Sequence, residues 1–197
     1  MGARALLLAG VLIILLPISG NASERCQALA QEVRVAHSLQ FGTDYPSHYS
    51  VGQLQQESGC RDVISRDGVG SEGPAQITYR VWKDALAHRG INEIRTTKNH
   101  LRAQAFINRC AYSEARVKKL WIAYQIYNGG GLVNKEILRA GKADWAASRA
   151  QCRRKIVHYK DGSSESACDV NYSYSKQVYR YGSSYRTAAD GAAYPYW

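Results

Sequence analysis

Apolar residues recur at three- and four-residue spacing along most of the chain, which is the period of a helix with one buried face. Cys26, Leu29, Ala30, Val33 and Ala36 mark such a face and predict a first helix over 24–39. Gly42-Thr43-Asp44-Tyr45-Pro46 interrupts the pattern, as Gly and Pro do. Ser47 then suits an N-cap, and the spacing predicts a second helix through Tyr49, Leu54 and Gln55, with Glu57 near its end and Ser58-Gly59 closing it. Residues 61–75 are rich in Gly, Asp and Ser and predict a loop, or a short hairpin. Further helices are expected over 78–88, 97–111, 113–127, 133–140 and 144–156. Asn128-Gly129-Gly130-Gly131 predicts a turn, because consecutive glycines form helix poorly. The stretch 169–185 is dense in tyrosine, and Val178 stands four residues after Tyr174. No internal repeat or interdomain linker is visible. The expected fold class is mainly α, a single helical globule with at most a minor β-hairpin.

Length and composition sharpen this picture. A chain of 197 residues has room for one ordinary core, and a hydrophobic fraction of 45% argues against disorder. The formal net charge of +10 favours polyanionic surroundings, either nucleic acid or an anionic cell envelope. No nucleic-acid-binding motif is present, and the one tight basic cluster is Arg153-Arg154-Lys155. Nucleic acid is therefore not an expected partner.

The first residues read as an export signal: Met1-Gly2-Ala3-Arg4 is a positive start, 5–18 is apolar, and Gly20-Asn21-Ala22 supplies small residues for cleavage. Nothing charged lies between Arg4 and Glu24, so a retained signal anchor is the alternative. The expected division is 1–22 as signal peptide or anchor, 23–187 as the domain, and 188–197 as a flexible tail. The membrane is a partner only if the anchor is retained.

Export turns the five cysteines into candidate disulfides. None forms a C-x-x-C pair, so a metal site is not expected. The expected pairing is Cys152 with Cys168 and Cys60 with Cys110. Cys26 is then left free or displaces one of those partners. Closing a loop of about 15 residues contributes roughly 3 kcal/mol. The five histidines show no H-E-x-x-H spacing, which argues against a zinc peptidase, and Cys60 has no orienting His nearby in sequence.

The candidate chemistry centres on Glu57. An exposed Glu is ionised at neutral pH and cannot donate a proton, whereas one half-buried at a helix end facing a cleft has its pKa raised and can. A lone helical Glu is most often a solvated surface residue. Here it sits in Gln56-Glu57-Ser58-Gly59, followed by Gly70-Ser71-Glu72-Gly73-Pro74-Ala75-Gln76-Ile77 and then Ala123-Tyr124-Gln125-Ile126-Tyr127-Asn128-Gly129-Gly130.

These three pieces, in this order, resemble the soluble lytic transglycosylase (SLT domain) family over roughly 51–131. The resemblance implies a lysozyme-like (SLT or goose-type) fold and cleavage of the MurNAc-β-1,4-GlcNAc bond of peptidoglycan, with 1,6-anhydro-MurNAc ends. It maps Glu57 onto the single catalytic acid. Ser58 is implied to bond near the muramoyl group or the acid, and Gln76 to line the sugar subsites. Tyr127 is implied to aim its hydroxyl at Glu57, and Asn128 and Gly130 to shape a turn that approaches sugar. Tyr174 and Val178 loosely match a Tyr-Val pair on the family's closing helix. The chain departs from the pattern in a spacing about one residue longer between Glu57 and Gln76, and in Ala75 where Met is common. Of the loop carboxylates Asp62, Asp67 and Glu72, each reads as a solvated turn residue rather than a second catalytic acid.

The implied partner is a peptidoglycan glycan strand, the protein a monomer in the periplasm or cell envelope, with no cofactor. Phage lysis, a secretion or conjugation apparatus and wall remodelling all suit such a design. A goose-type-like muramidase and a non-catalytic glycan-binding protein on the same scaffold are the alternatives.

Overall fold

The computed structural model describes residues 21–65, 70–152, 156–158, 161–188 and 190. Eight helices and one two-stranded sheet are present among them, in the order α1 (Ala22–Phe41), α2 (His48–Ser58), α3 (Tyr79–Ala87), α4 (Thr97–Glu114), α5 (Leu120–Gly129), α6 (Leu132–Ala140), α7 (Trp145–Ala150), β1 (Ile156–His158), β2 (Ser164–Ser166) and α8 (Ala167–Ser183). The mainly helical expectation holds. The expected leader, 1–22, lies outside the described residues except for Asn21 and Ala22. These open α1 through a capping box with Glu24. No helix among the described residues is long and apolar enough to cross a membrane.

The central element is α2. It buries eight of its eleven residues, from His48 through Leu54 and at Ser58. It packs against α1 and α8, and α4 packs against α1 and α5. The closest approach is at Gly52, where a Cβ would lie 2.3 Å from Gly182 N and 2.5 Å from Val178 O. Only glycine admits this backbone contact. It runs α8 antiparallel along α2, so that Tyr49 lies against Gly182 while Glu57 lies against Tyr174.

Buried polar groups tie the helices together. The Gln53 side-chain oxygen accepts from Gln104 Nε2 at 2.9 Å and from Asn108 Nδ2 at 2.8 Å. Asn108 also meets His37 Nε2 at 3.2 Å, and His37 Nδ1 meets Val33 O at 2.9 Å. A carbonyl can only accept, so Nδ1 carries the proton. Burial pushes His37 down to about 4 and keeps the ring neutral. A second polar cluster joins the hydroxyls of Tyr45, Ser50 and Tyr124 at 3.0–3.1 Å.

Several elements differ from expectation. The helix expected over 113–127 starts only at Leu120, because Lys118 Nζ folds back onto the carbonyls of Tyr112, Ser113 and Ala115 and ends α4. The helix expected over 144–156 stops at Ala150. Ile156 instead pairs with Ser166 in the β1–β2 hairpin, at whose base Cys152 is bonded to Cys168. The hairpin was not anticipated there. Over 61–75 the backbone makes only isolated bridges, Ile64 to Glu72 and Glu72 to Ile77. Of the tail expected over 188–197, residues 189 and 191–197 lie outside the described residues, and Asp190 is held in place. Its carboxylate accepts from Ser47 Oγ at 2.9 Å and from Arg34 at 3.2 Å, with the side chain 1% exposed.

The disulfide expectation is half corrected. Cys152–Cys168 is present, but Cys60 pairs with Cys26, and Cys110 is the free thiol. The packing of α1 against the end of α2 brings Cys26 to Cys60. Cys110 lies on α4 and lines a different surface. Titration of unfolded, non-reduced protein with a thiol reagent is expected to find one reactive thiol out of five. Cys26→Ser should cost about 3–4 kcal/mol in a urea melt through the loop it opens, and Cys110→Ser much less. Three reactive thiols, or equal losses for the two variants, would contradict the pairing.

Candidate functional site

Glu57 occupies the last turn of α2. Gly59 follows at φ 64° and Cys60 at φ 60°, so the chain reverses directly after the acid. Gly59 N–H donates to Gln55 O and Cys60 N–H to Leu54 O, closing the helix as a Schellman-type cap. Two arginines hold carbonyls at this corner: Arg61 Nε donates to Ser58 O at 2.8 Å and Arg25 Nε to Gly59 O at 3.1 Å. The Cys26–Cys60 disulfide fastens the same corner to α1.

The Glu57 side chain is half-buried. Tyr174 of α8 donates its hydroxyl to Glu57 Oε1 at 2.5 Å. Burial raises the carboxyl from its ordinary 4.5 to about 7, while the Tyr174 hydrogen bond pulls the other way by favouring the charged form. Desolvation therefore dominates. Tyr174 is itself held well above its usual range, chiefly by burial and then by the carboxylate beside it, so its hydroxyl stays a neutral donor.

The turn across the cleft, Gly73-Pro74-Ala75-Gln76, is fixed from three sides. Ser58 Oγ donates to Pro74 O at 2.9 Å, Tyr127 Oη donates to Ala75 O at 2.7 Å, and Ala75 N–H donates to His100 Nε2 at 3.0 Å. His100 Nδ1 meets Ile94 O at 3.2 Å, which sets the tautomer, and burial pushes its pKa down. A Cβ at Gly73 would strike this imidazole at 2.2 Å. Gln76 follows at φ 49°, with Nε2 donating to Val63 O and Gly73 O.

A cavity of about 410 Å³ opens between these parts, lined by Glu57, Ser65, Ser71, Gln76, Thr78, Tyr127 and Asn128. A second cavity of about 250 Å³ meets it along Gln76, Thr78 and Tyr127, and reaches Trp82, Cys110, Glu114 and Gly130. Four of the six expected site residues, Glu57, Gln76, Tyr127 and Asn128, thus line one cavity, and Gly130 lines its neighbour. Ser58 lines neither. It is 6% exposed, and its hydroxyl is used within the protein. Two expected roles are corrected. Tyr127 gives its hydroxyl to Ala75 rather than to Glu57, because the buried carbonyl of the turn lies within its reach. Ser58 braces the turn instead of addressing the acid. Asn128 meets Asn171 Oδ1 at 3.3 Å, and Gly130 adopts φ 66° at the end of α5.

The hydroxyl partner of Glu57 is Tyr174, some hundred residues away in the chain. Its spacing to Val178 was the one sequence signal that singled it out. His100 gave no such signal. Asp62 and Glu72 do not line the Glu57 cavity, and Asp67 lies outside the described residues. Among the described residues no group of His, Cys, Asp or Glu is arranged to hold a metal ion. No family model, curated protein or solved structure matches the chain.

The pKa of Glu57 has a testable cost. The unfolded chain loses this proton near 4.5 and the folded one near 7. The unfolded state therefore binds fewer protons in that window, and stability falls as pH rises through it, by at most on the order of 3 kcal/mol. Gln does not titrate. Glu57→Gln should match the parent's melting temperature at pH 4 and exceed it increasingly up to pH 7. A constant difference across that range would show that the carboxyl is not perturbed.

Proposed function

We propose that this chain is an exported peptidoglycan lytic transglycosylase with a lysozyme-like fold. The observation that carries the reading is a single half-buried carboxyl, poised at about 7, on the wall of a polar cleft. No second carboxylate lines that cavity among the described residues. Glu114 lines the neighbouring one. A glycoside hydrolase of the usual kind flanks its bond with two carboxyl groups. A lone acid near neutrality fits a reaction in which one residue acts twice, since both of its protonation states are populated.

Glu57 first donates its proton to the glycosidic oxygen of the leaving GlcNAc, and the C1–O4 bond breaks. The resulting carboxylate then takes the proton of the muramoyl C6 hydroxyl. That oxygen attacks C1 and closes the 1,6-anhydro ring, which restores the acid and consumes no water. The nucleophile belongs to the same sugar, so its effective concentration is high. Tyr174 steadies the acid through its hydrogen bond. Gln76 and Asn128, whose amide nitrogens are engaged within the protein, offer their amide oxygens to the strand. Ser58, Tyr127 and His100 act at one remove by holding the turn that carries Gln76. Two disulfides and the apolar start of the chain are compatible with an oxidising compartment outside the cytoplasm.

The test is mass spectrometry of muropeptides released from purified sacculi. Anhydro-muramoyl ends are expected from the parent and none from Glu57→Gln. Reducing ends would assign a muramidase, and full release by the variant would remove Glu57 from the chemistry. The rate should fall as pH rises through about 7, where the proton donor is lost. Tyr174→Phe removes a bond that favours the charged form, so this fall should move to higher pH. Its maximal rate should drop on the order of 10- to 100-fold through looser positioning of the acid. An unmoved pH profile would assign Tyr174 a packing role alone.

A further inference from the structure

A cavity of about 540 Å³, larger than the one at Glu57, lies elsewhere on the molecule. Lys119, Trp121, Trp145, Ser175, Lys176 and Tyr179 provide its walls, and it shares no residue with either cavity of the Glu57 cleft. On α8 it uses Ser175, Lys176 and Tyr179, whereas the cleft uses Tyr174.

The walls are held in place by the protein itself. Trp145 Nε1 donates to Tyr172 O at 3.1 Å, and the indole meets the Tyr172 ring edge-on at 5.6 Å. Tyr179 stacks on Tyr49 at 5.4 Å yet is 45% exposed. Lys176 Nζ sits 4.0 Å from the centre of the Trp145 ring, which holds the ammonium against an aromatic wall. Lys119 stands at the start of α5, whose first turn has no side-chain cap. The partial positive charge of that helix end adds to the lysine's own. Asp144 is the one carboxylate in the lining, and its Oδ1 is engaged by Ala147 N–H at 2.7 Å as the cap of α7.

A lining that holds one ammonium against an aromatic wall and adds a second lysine suits a ring with an apolar face and an acidic substituent. We propose that this cavity is a second binding site, separate from the cleft, for an acidic saccharide: a sugar ring carrying a carboxylate or a phosphate. The choice of a sugar rests on the reading of the chain as a wall-acting enzyme. The charge of the ligand rests on the cavity alone. Such a site would hold the protein on an anionic envelope polymer while Glu57 works on a neighbouring strand.

Equilibrium binding to the full chain carrying Glu57→Gln tests this without turnover. The probes are N-acetylmuramic acid, N-acetylglucosamine 6-phosphate, neutral N-acetylglucosamine and a short acidic peptide. At least one acidic sugar should bind at least tenfold tighter than the neutral one and the peptide, and weaken with added salt. Preference for the carboxylate sugar would identify the glycan strand itself as the source. Preference for the phosphate would identify a phosphate-bearing polymer. Lys119→Gln with Lys176→Gln should weaken acidic-sugar binding at least tenfold. Lys176 is exposed and Lys119 half-buried, and the melting temperature checks that the fold survives. Equal binding of neutral and acidic sugars, peptide binding as tight as sugar binding, no binding, or binding unaffected by the two substitutions would each overturn the proposal. Muropeptide release is read separately, in protein with Glu57 intact. Loss of that activity reading leaves the charge result standing, and loss of the second site leaves cleavage by Glu57 untouched.

Discussion

Everything at the candidate site depends on how closely α8 lies along α2. The two backbones touch at Gly52 and Gly182, where no side chain fits. That contact is what lets a tyrosine from the last helix put its hydroxyl on a glutamate of the second. It also sets the burial of the carboxyl, because α8 supplies the wall that excludes water. The raised pKa of Glu57 is therefore a consequence of helix packing, with the hydrogen bond from Tyr174 tempering it. Add a methyl group at Gly52 and both effects weaken together.

The opposite wall is built on different terms. The 73–76 turn has little regular structure of its own, and it is held by donors and acceptors from three helices: Ser58, His100 and Tyr127. Two of them satisfy backbone groups of Ala75, a fully buried residue whose polar groups would be costly to leave without partners. The cleft thus joins an acid set by helix packing to a turn set by polar contacts. The same division runs through the core, where Gln53, Gln104, Asn108 and neutral His37 bridge helices that otherwise meet through aliphatic and aromatic surfaces.

The local pattern carried the helices well. The face through Cys26, Val33 and Ala36 does turn inward, and Glu57 does end its helix before a left-handed glycine. Cys152 and Cys168, close in sequence, pair as their spacing suggests. Where expectation and structure differ, a contact outside the helical repeat had overridden it, some of these contacts local and some distant. Lys118 ended α4 by reaching its carbonyls, and a hairpin claimed Ile156. Asp190, inside the stretch expected as a tail, is held by Ser47 and Arg34. Cys60 found Cys26 because helix packing brought α1 to that corner.

The amino-acid order alone determined that the chain is mainly helical, where most helices begin and end, and that Glu57, Gln76, Tyr127 and Asn128 are candidates for one site. The helices follow from periodicity, capping and turn chemistry, which act over a few residues, whereas the site candidates were what the resemblance of their motifs to a known family implied. Only the tertiary structure decided which hydroxyl meets the acid, which groups brace the turn, and how far Glu57 is removed from water. Tyr127 was the partner that the sequence resemblance implied, and Tyr174 is the one that the structure supplies. The choice between them rests on the position of two helices in space, set by a glycine contact that no local pattern encodes.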